Sequence, residues 1–404
     1  MVFLMARKSR NNAVNLWNFI FVLIIMLIVF LAFPMNQKTN SKESASKDGI
    51  KELTASGVLD IFECGSNETC MDNVSELLLK TRNAKELLAE LDESGKKDSR
   101  ILIQCHPITH SVGRTLYKKL LEENKHIADV FQQCDHTCHS GCFHGAMERV
   151  FFSDGSSDGE DHVTPQILRE KVPSVCEGFD QGLSGNLRFQ CLHGLGHAVV
   201  FFNYYNLIDS LKLCDLLPTD WDRSSCHGGA FMENVVASNK SKRLVSNDPH
   251  FPCNMLEEKY KNSCYLMQTS RMLELGLSYE KIGKECENVE SYRSTCMISL
   301  GRDASNDVRK DPKSAKICIG LPTENDNKNC ISGLVYALSD NSWDGRYAFP
   351  YCDDLPADYI DYCYKTTIAY LMHSLFIDKT ALIKSCQAHS SYYDCINTVN
   401  NWAS

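Results

Sequence analysis

From Cys176 to the end of the chain the cysteines come in consecutive pairs: Cys176/Cys191, Cys214/Cys226, Cys253/Cys264, Cys286/Cys296, Cys318/Cys330, Cys352/Cys363 and Cys386/Cys395. The second members are 35, 38, 32, 34, 33 and 32 residues apart. A step held this constant marks an internal repeat, and a repeat decides the fold before any single element does. The full count is 20, an even number. That usage suits an oxidising compartment, where cysteines become a framework of bridges.

Each unit has the same texture. The second cysteine opens an apolar stretch, as in "CHGGAFMENVVAS" or "CISGLVYALS", followed by a polar loop and a shorter segment such as "YNLIDSLKLC" that ends at the next unit's first cysteine. Strand alternation is absent and the apolar spacing is helical, so one unit reads as a helical hairpin. A hairpin of this size cannot bury its apolar face alone, and such units stack. A bridge at each junction closes a loop of 9 to 15 residues, worth about 2–4 kcal/mol in a chain-entropy model.

Walked backward, the pattern aligns Cys142 in "CFHGAME" with Cys191 and Cys226. The step from Cys142 to Cys191 is longer and holds the insertion "SDGSSDGEDH". Pairing Cys134 with Cys142, Cys105 with Cys138 and Cys64 with Cys70 uses every cysteine, although spacing alone does not fix a connectivity. The architecture resembles tetratricopeptide and Sel1-type solenoids, some secreted members of which also carry one disulfide per repeat. The consensus residues of those families are not found, so the resemblance is to an architecture and implies no activity. The expected fold class is all-α: disulfide-stapled helical-hairpin repeats forming an α-solenoid behind a single N-terminal transmembrane helix.

That helix is read from "WNFIFVLIIMLIVFLAF", Trp17 to Phe33, which follows Arg7, Lys8 and Arg10. An apolar run of this length is at the lower limit for a bilayer, and the basic flank sets the N-terminal end in the cytoplasm. A cleaved signal peptide is the rival, but the run exceeds the usual apolar core and no small-x-small site follows. The expected layout is a cytoplasmic N-terminus at 1–14, an anchor in the cell membrane at 15–34, a polar stalk at 35–52, a His/Cys-rich repeat region at 53–235 and a Cys-paired repeat region at 236–404. All of the chain beyond the anchor is expected outside the cytoplasm. Sequons at Asn67, Asn73 and Asn239 permit glycosylation there. The net charge of −9, without a long basic patch, argues against nucleic acid as a partner. Residues 71–94 carry Leu77, Leu78, Leu79, Leu87, Leu88 and Leu91 at a helical period and read as one amphipathic helix.

Histidine is the second unusual feature. Of 13 histidines, ten lie between His106 and His227. "CHPITH" puts His106 and His110 four apart, "HGAME" does so for His144 and Glu148, and "HGLGH" for His193 and His197. Positions i and i+4 share a helix face about 5–6 Å apart, within reach of one ion. Imidazole with carboxylate suits zinc, iron or copper. The expected centre, one or two ions, therefore draws on His106, His110, His144, Glu148, His193, His197 and His227, with Glu148 and Glu233 as candidate proton acceptors. Gly145, Gly194, Gly196, Gly228 and Gly229 fit close helix packing or close approach to a ligand. The later units keep the architecture almost without histidine, with Arg271, Arg302 and Asp303 instead, so histidine is not needed to build a unit. Arg114, Arg271 and Arg302 read more simply as paired surface residues than as anion binders.

The bland alternative is a non-enzymatic cell-surface scaffold that binds a protein or glycan on its concave face, with structural histidines. Covalent haem is disfavoured, because "CDHTCH" has one residue too many for C-x-x-C-H. The insertion with Asp154, Asp158 and Asp161 lacks the closing Glu of a calcium loop. No P-loop, Rossmann fingerprint, H-E-x-x-H or G-x-S-x-G occurs.

Overall fold

Asn206 accepts a hydrogen bond from the Asp209 backbone and starts a short helix, Leu207–Cys214, whose last residue is bridged to Cys226 inside the long helix that follows. The same pattern of a short helix bridged into a long one recurs along the chain, each short helix supplying the return path. A computed structural model describes residues 56–123, 125–151, 163–179, 185–236, 240–310, 316–391 and 394–402, within a compact unit of Leu53–Ser404. Every regular element among the described residues is helical. The expected anchor, the stalk, Asn239, His162, Asp154, Asp158 and Asp161 lie outside the described residues. Among the described residues no helix is long and apolar enough to cross a membrane.

The long helices are α1 (Glu68–Leu79), α2 (Ala84–Lys97), α3 (Ser99–Glu122), α4 (Thr137–Phe151), α5 (Gly185–Phe202), α6 (Asp220–Val236), α7 (Glu258–Glu274), α8 (Arg293–Lys310), α9 (Glu324–Asp340) and α10 (Ala357–His373). The single helix expected over 71–94 is two. The Asn83 side chain accepts from the Glu86 backbone and starts a new helix there, a capping preference that outweighs the continuing leucine period.

All seven pairs of the cysteine step are bridged: Cys176–Cys191, Cys214–Cys226, Cys253–Cys264, Cys286–Cys296, Cys318–Cys330, Cys352–Cys363 and Cys386–Cys395. Cys64–Cys70, Cys105–Cys138 and Cys134–Cys142 complete the ten, and no cysteine is free. The second cysteine opens the apolar stretch, but the helix starts before it. Cys191, Cys226, Cys264, Cys296, Cys330 and Cys363 lie three to six residues inside α5 to α10, and only Cys395 is the first residue of its helix, Cys395–Asn401. The reason is the polar first turn. In α9 the Thr323 side chain caps the helix and Glu324 and Asp326 follow, favoured by the N-terminal dipole, so the helix begins before its apolar residues do.

Contacts between neighbouring long helices keep a running register. Asp72 and Glu76 of α1 meet Arg114 and Lys118 of α3. Arg188 and His197 of α5 meet Asp222 and Glu233 of α6. Asn262 and Ser270 of α7 meet Thr295 and Asp303 of α8, and Asn327 and Asp340 of α9 meet Tyr359 and Tyr370 of α10. In each case earlier residues face earlier residues, so these long helices run parallel.

Three helix pairs approach especially closely, α3/α4, α5/α6 and α8/α9. A Cβ on Gly113 or Gly145 would collide with the carbonyl of Cys142 or His110 respectively, and one on Gly196 or Gly229 with that of Cys226 or His193. On Gly301 or Gly333 it would collide with that of Cys330 or Ile298. The same glycine contact is thus built three times. Buried side chains form one core through α6, a bridging cluster from Val200 to Met267 and a second core from Met272 to Val399.

Candidate metal centre

The i,i+4 spacing puts His106 and His110 on one face of α3, and their Nε2 atoms lie 3.0 Å apart. Their other nitrogens are committed to the next helix. His106 Nδ1 bonds the Cys138 carbonyl at 2.7 Å, and His110 Nδ1 bonds Glu148 Oε1 at 2.8 Å. A carbonyl and a carboxylate only accept, which assigns the proton of each neutral ring to Nδ1. Both Nε2 atoms then present lone pairs to each other, an arrangement that asks for a cation or an added proton between them.

His144 on α4 completes the group: among the described residues, ligand atoms of His106, His110 and His144 lie within 4.8 Å of one another, near enough to hold a metal ion. Its ring is 5.5 Å from that of His106 and 5.7 Å from that of His110. An ion with metal–nitrogen distances of about 2.0–2.1 Å sets adjacent ligand nitrogens about 3.0–3.4 Å apart and their ring centroids about 4.5–5.3 Å apart. The His106–His110 edge, with centroids at 4.5 Å, already meets this. The edges to His144 are longer, and its ring makes no side-chain hydrogen bond among the described residues.

Glu148 stands one bond behind the ligand atoms. Its Oε1 accepts from His110, its Oε2 accepts from Arg114 Nη1 at 2.9 Å, and Arg114 also holds Asp72. Burial pushes the Glu148 carboxyl up, yet His110 and Arg114 outweigh it and hold the group down at about 2. A permanently ionised carboxylate behind a histidine fixes its tautomer and raises its basicity as a ligand. Burial, reinforced by His197, His110 and its other histidine neighbours, holds His144 well below the ordinary imidazole range. It is therefore neutral at pH 7, the form that binds metal.

A second pair lies beside the first. His197 is 5.0 Å from His144 and 5.1 Å from His193, ring to ring. Its Nδ1 bonds Glu233 Oε2 at 2.9 Å, while its Nε2 is buried without a hydrogen-bond partner. Burial, His197 and Arg302 bring His193 down to about 3. His227 is placed elsewhere: it is buried, bonds Asp215 through Nε2 at 3.1 Å and packs on the Tyr260 ring. Of the expected residues, the structure thus gathers His106, His110, His144, His193 and His197, with Glu148 and Glu233 supporting them, and leaves His227 in a separate polar contact.

Arg114, Arg271 and Arg302 are all ion-paired, with Asp72, Glu274 and Asp303 respectively. The sequence reading missed the Cys138 carbonyl, because a backbone acceptor carries no residue signature. It also missed a cleft of about 590 Å³ beside the second pair, lined by Phe189, Trp221, Tyr370 and Phe376 among others. Phe189 stacks on His193 at 5.4 Å, which joins cleft and histidines. This chain matches no family model, no curated protein and no solved structure.

Proposed function

We propose that this chain is a disulfide-stapled α-solenoid, anchored in the cell membrane by its N-terminal segment and lying outside the cytoplasm, that holds a transition-metal ion on His106, His110 and His144. The observation carrying this is the 3.0 Å approach of two Nε2 lone pairs whose Nδ1 partners are an ionised carboxylate and a carbonyl. Parallel stacking at the cysteine step supports the solenoid, and the complete pairing of cysteines supports an oxidising location.

Three imidazoles leave a coordination position open, as in catalytic rather than structural sites. A bound zinc, iron or copper ion would supply activated water for hydrolysis or an electron-transfer couple for redox chemistry. The chain's own residues constrain what accompanies it. Glu148 has both oxygens occupied and acts by orienting His110. Glu233 commits one oxygen to His197 and is the carboxylate left to accept a proton.

The full chain, made in an oxidising compartment, is to be analysed for bound metal by elemental analysis against the His106→Ala/His110→Ala variant. We expect the variant to lose at least one ion per chain while its thiols stay fully bridged. Folded wild-type protein without metal would overturn the proposal. That result would favour the second reading, suggested by exposed Phe189, Trp221 and Phe376 at the cleft: a scaffold that binds a protein or glycan, with structural histidines.

A further inference from the structure

The two histidine pairs are built alike. On α3, His106 is held by a backbone carbonyl of the next long helix, at Cys138, and His110 by a glutamate of that helix, Glu148. On α5, His193 lies beside the backbone of the next long helix, at Ser225, and His197 is held by a glutamate of that helix, Glu233. Each pair therefore has one imidazole beside the backbone of the next helix and the other, one turn on, fixed by its carboxylate. In the first pair this leaves the Nε2 atoms facing each other. In the second it leaves His197 Nε2 buried and unpartnered. An imidazole nitrogen stripped of water and given no donor is costly unless something electropositive meets it.

His144 lies between the pairs, because α4 lies between α3 and α5. Its ring centroid is 5.5 Å from His106, 5.7 Å from His110 and 5.0 Å from His197. Among the described residues no ring contact joins His106 or His110 directly to His193 or His197, so one ion does not reach all five. The centroid distance of 5.1 Å for His193–His197 falls within the roughly 4.5–5.3 Å of imidazoles that share an ion. Arg302, the cation that bears on His193, is held by Asp303 and Ser270.

We infer that the cluster is a two-ion centre, in which His193 and His197 hold a second divalent transition-metal ion beside the first, whose ligands are His106, His110 and His144. This inference rests on the reading of the first site and adds to it a second ion with its own ligands. The glutamates have matching duties, Glu148 for the first ion and Glu233 for the second. The stacked Phe189 ring sets the second ion nearer the aromatic cleft.

The test is stoichiometry. The full chain is stripped with chelator, reloaded with zinc alone, and counted for ions per chain beside three variants: His106→Ala/His110→Ala, His193→Ala/His197→Ala and His144→Ala. Thiol titration and circular dichroism confirm folding, and His193→Gln/His197→Gln stands in if the alanine form does not fold. We expect two ions in the wild type, one in each double variant, and weaker binding of the first ion alone in His144→Ala. A wild type with one ion that His193→Ala/His197→Ala retains overturns the second ion and leaves the first site standing. One ion lost in either double variant means a single shared site and overturns the pair. No ion in the wild type overturns both readings.

Discussion

At the residue scale, the chemistry depends on how the imidazoles are held rather than on their number. Removing the charge behind His110 tests this without removing a ligand: Glu148→Gln keeps the shape, and Asp72 still holds Arg114. Loss of such an orienting partner costs about 10–100-fold in metal affinity, and competition against a chromophoric chelator should show that weakening with the disulfides intact. The depressed imidazoles give a second prediction. His193 titrates at about 3 in the folded chain against an ordinary 6.5, so as pH falls through that window the unfolded state takes up the proton first. The contribution of His193 to the stability of the chelated protein is therefore constant above about pH 6.5 and declines from there toward pH 3, while Asp340, raised to about 7 by burial, contributes in the opposite sense. The difference in urea unfolding midpoint between wild type and His193→Gln should change over this window, and the same pH dependence in both refutes the assignment. The i,i+4 pairs were legible in the sequence because one helix fixes them. The departure of His227 was not, because Asp215, Lys259 and Tyr260 come together only in the fold.

At the element scale, helix approach is set by glycine. Gly145 and Gly229 abut the carbonyls of His110 and His193, and Gly333 abuts that of Ile298 in the histidine-free pair. Alanine at any of them forces the helices apart, and overpacking of this kind costs about 1–3 kcal/mol. The consequences then diverge. Gly145→Ala and Gly229→Ala should lower both melting temperature and metal content, because each moves a histidine helix off its glutamate, whereas Gly333→Ala should lower melting temperature alone. Equal metal loss in all three would mean that global stability, not local geometry, governs binding. Gly145, Gly196 and Gly229 were recognisable beside the histidine motifs, but Gly113, three residues past His110, was passed over, and Gly301 and Gly333 have no such motif beside them. Cysteine pairing was legible for the opposite reason: a constant step is a global signal that local ambiguity does not erase. Helix starts were less so, because the polar first turns before Cys264, Cys330 and Cys363 read as loop when only the apolar period is followed. The break at residues 80–83 was lost beneath a leucine period that carries across it.

At the scale of the whole molecule, the two ends are linked by more than the sequence of helices between them. Trp343, in the loop after α9, packs against both cores, with its ring 5.3 Å from His136 and 6.5 Å from Phe143. Phe143 is the residue before His144, so a side chain from the C-terminal half helps seat the helix that carries the central histidine. Stacked repeats contacting only their neighbours would unfold piecewise, since each interface contributes separately. A shared aromatic couples distant units instead. Full truncation of a buried Trp costs about 3–5 kcal/mol, and for this half-buried ring Trp343→Ala should cost the lower part of that range. The coupling makes a sharper claim than the loss of stability. Hydrogen exchange should quicken in Thr137–Phe151 as well as in Glu324–Asp340, although the first is almost two hundred residues away. Trp221→Ala, at an exposed ring, should leave exchange in Thr137–Phe151 unchanged. If Trp343→Ala loosens only its own half, the two cores are independent. The metal centre would then owe its rigidity to α3, α4, α5 and α6 alone.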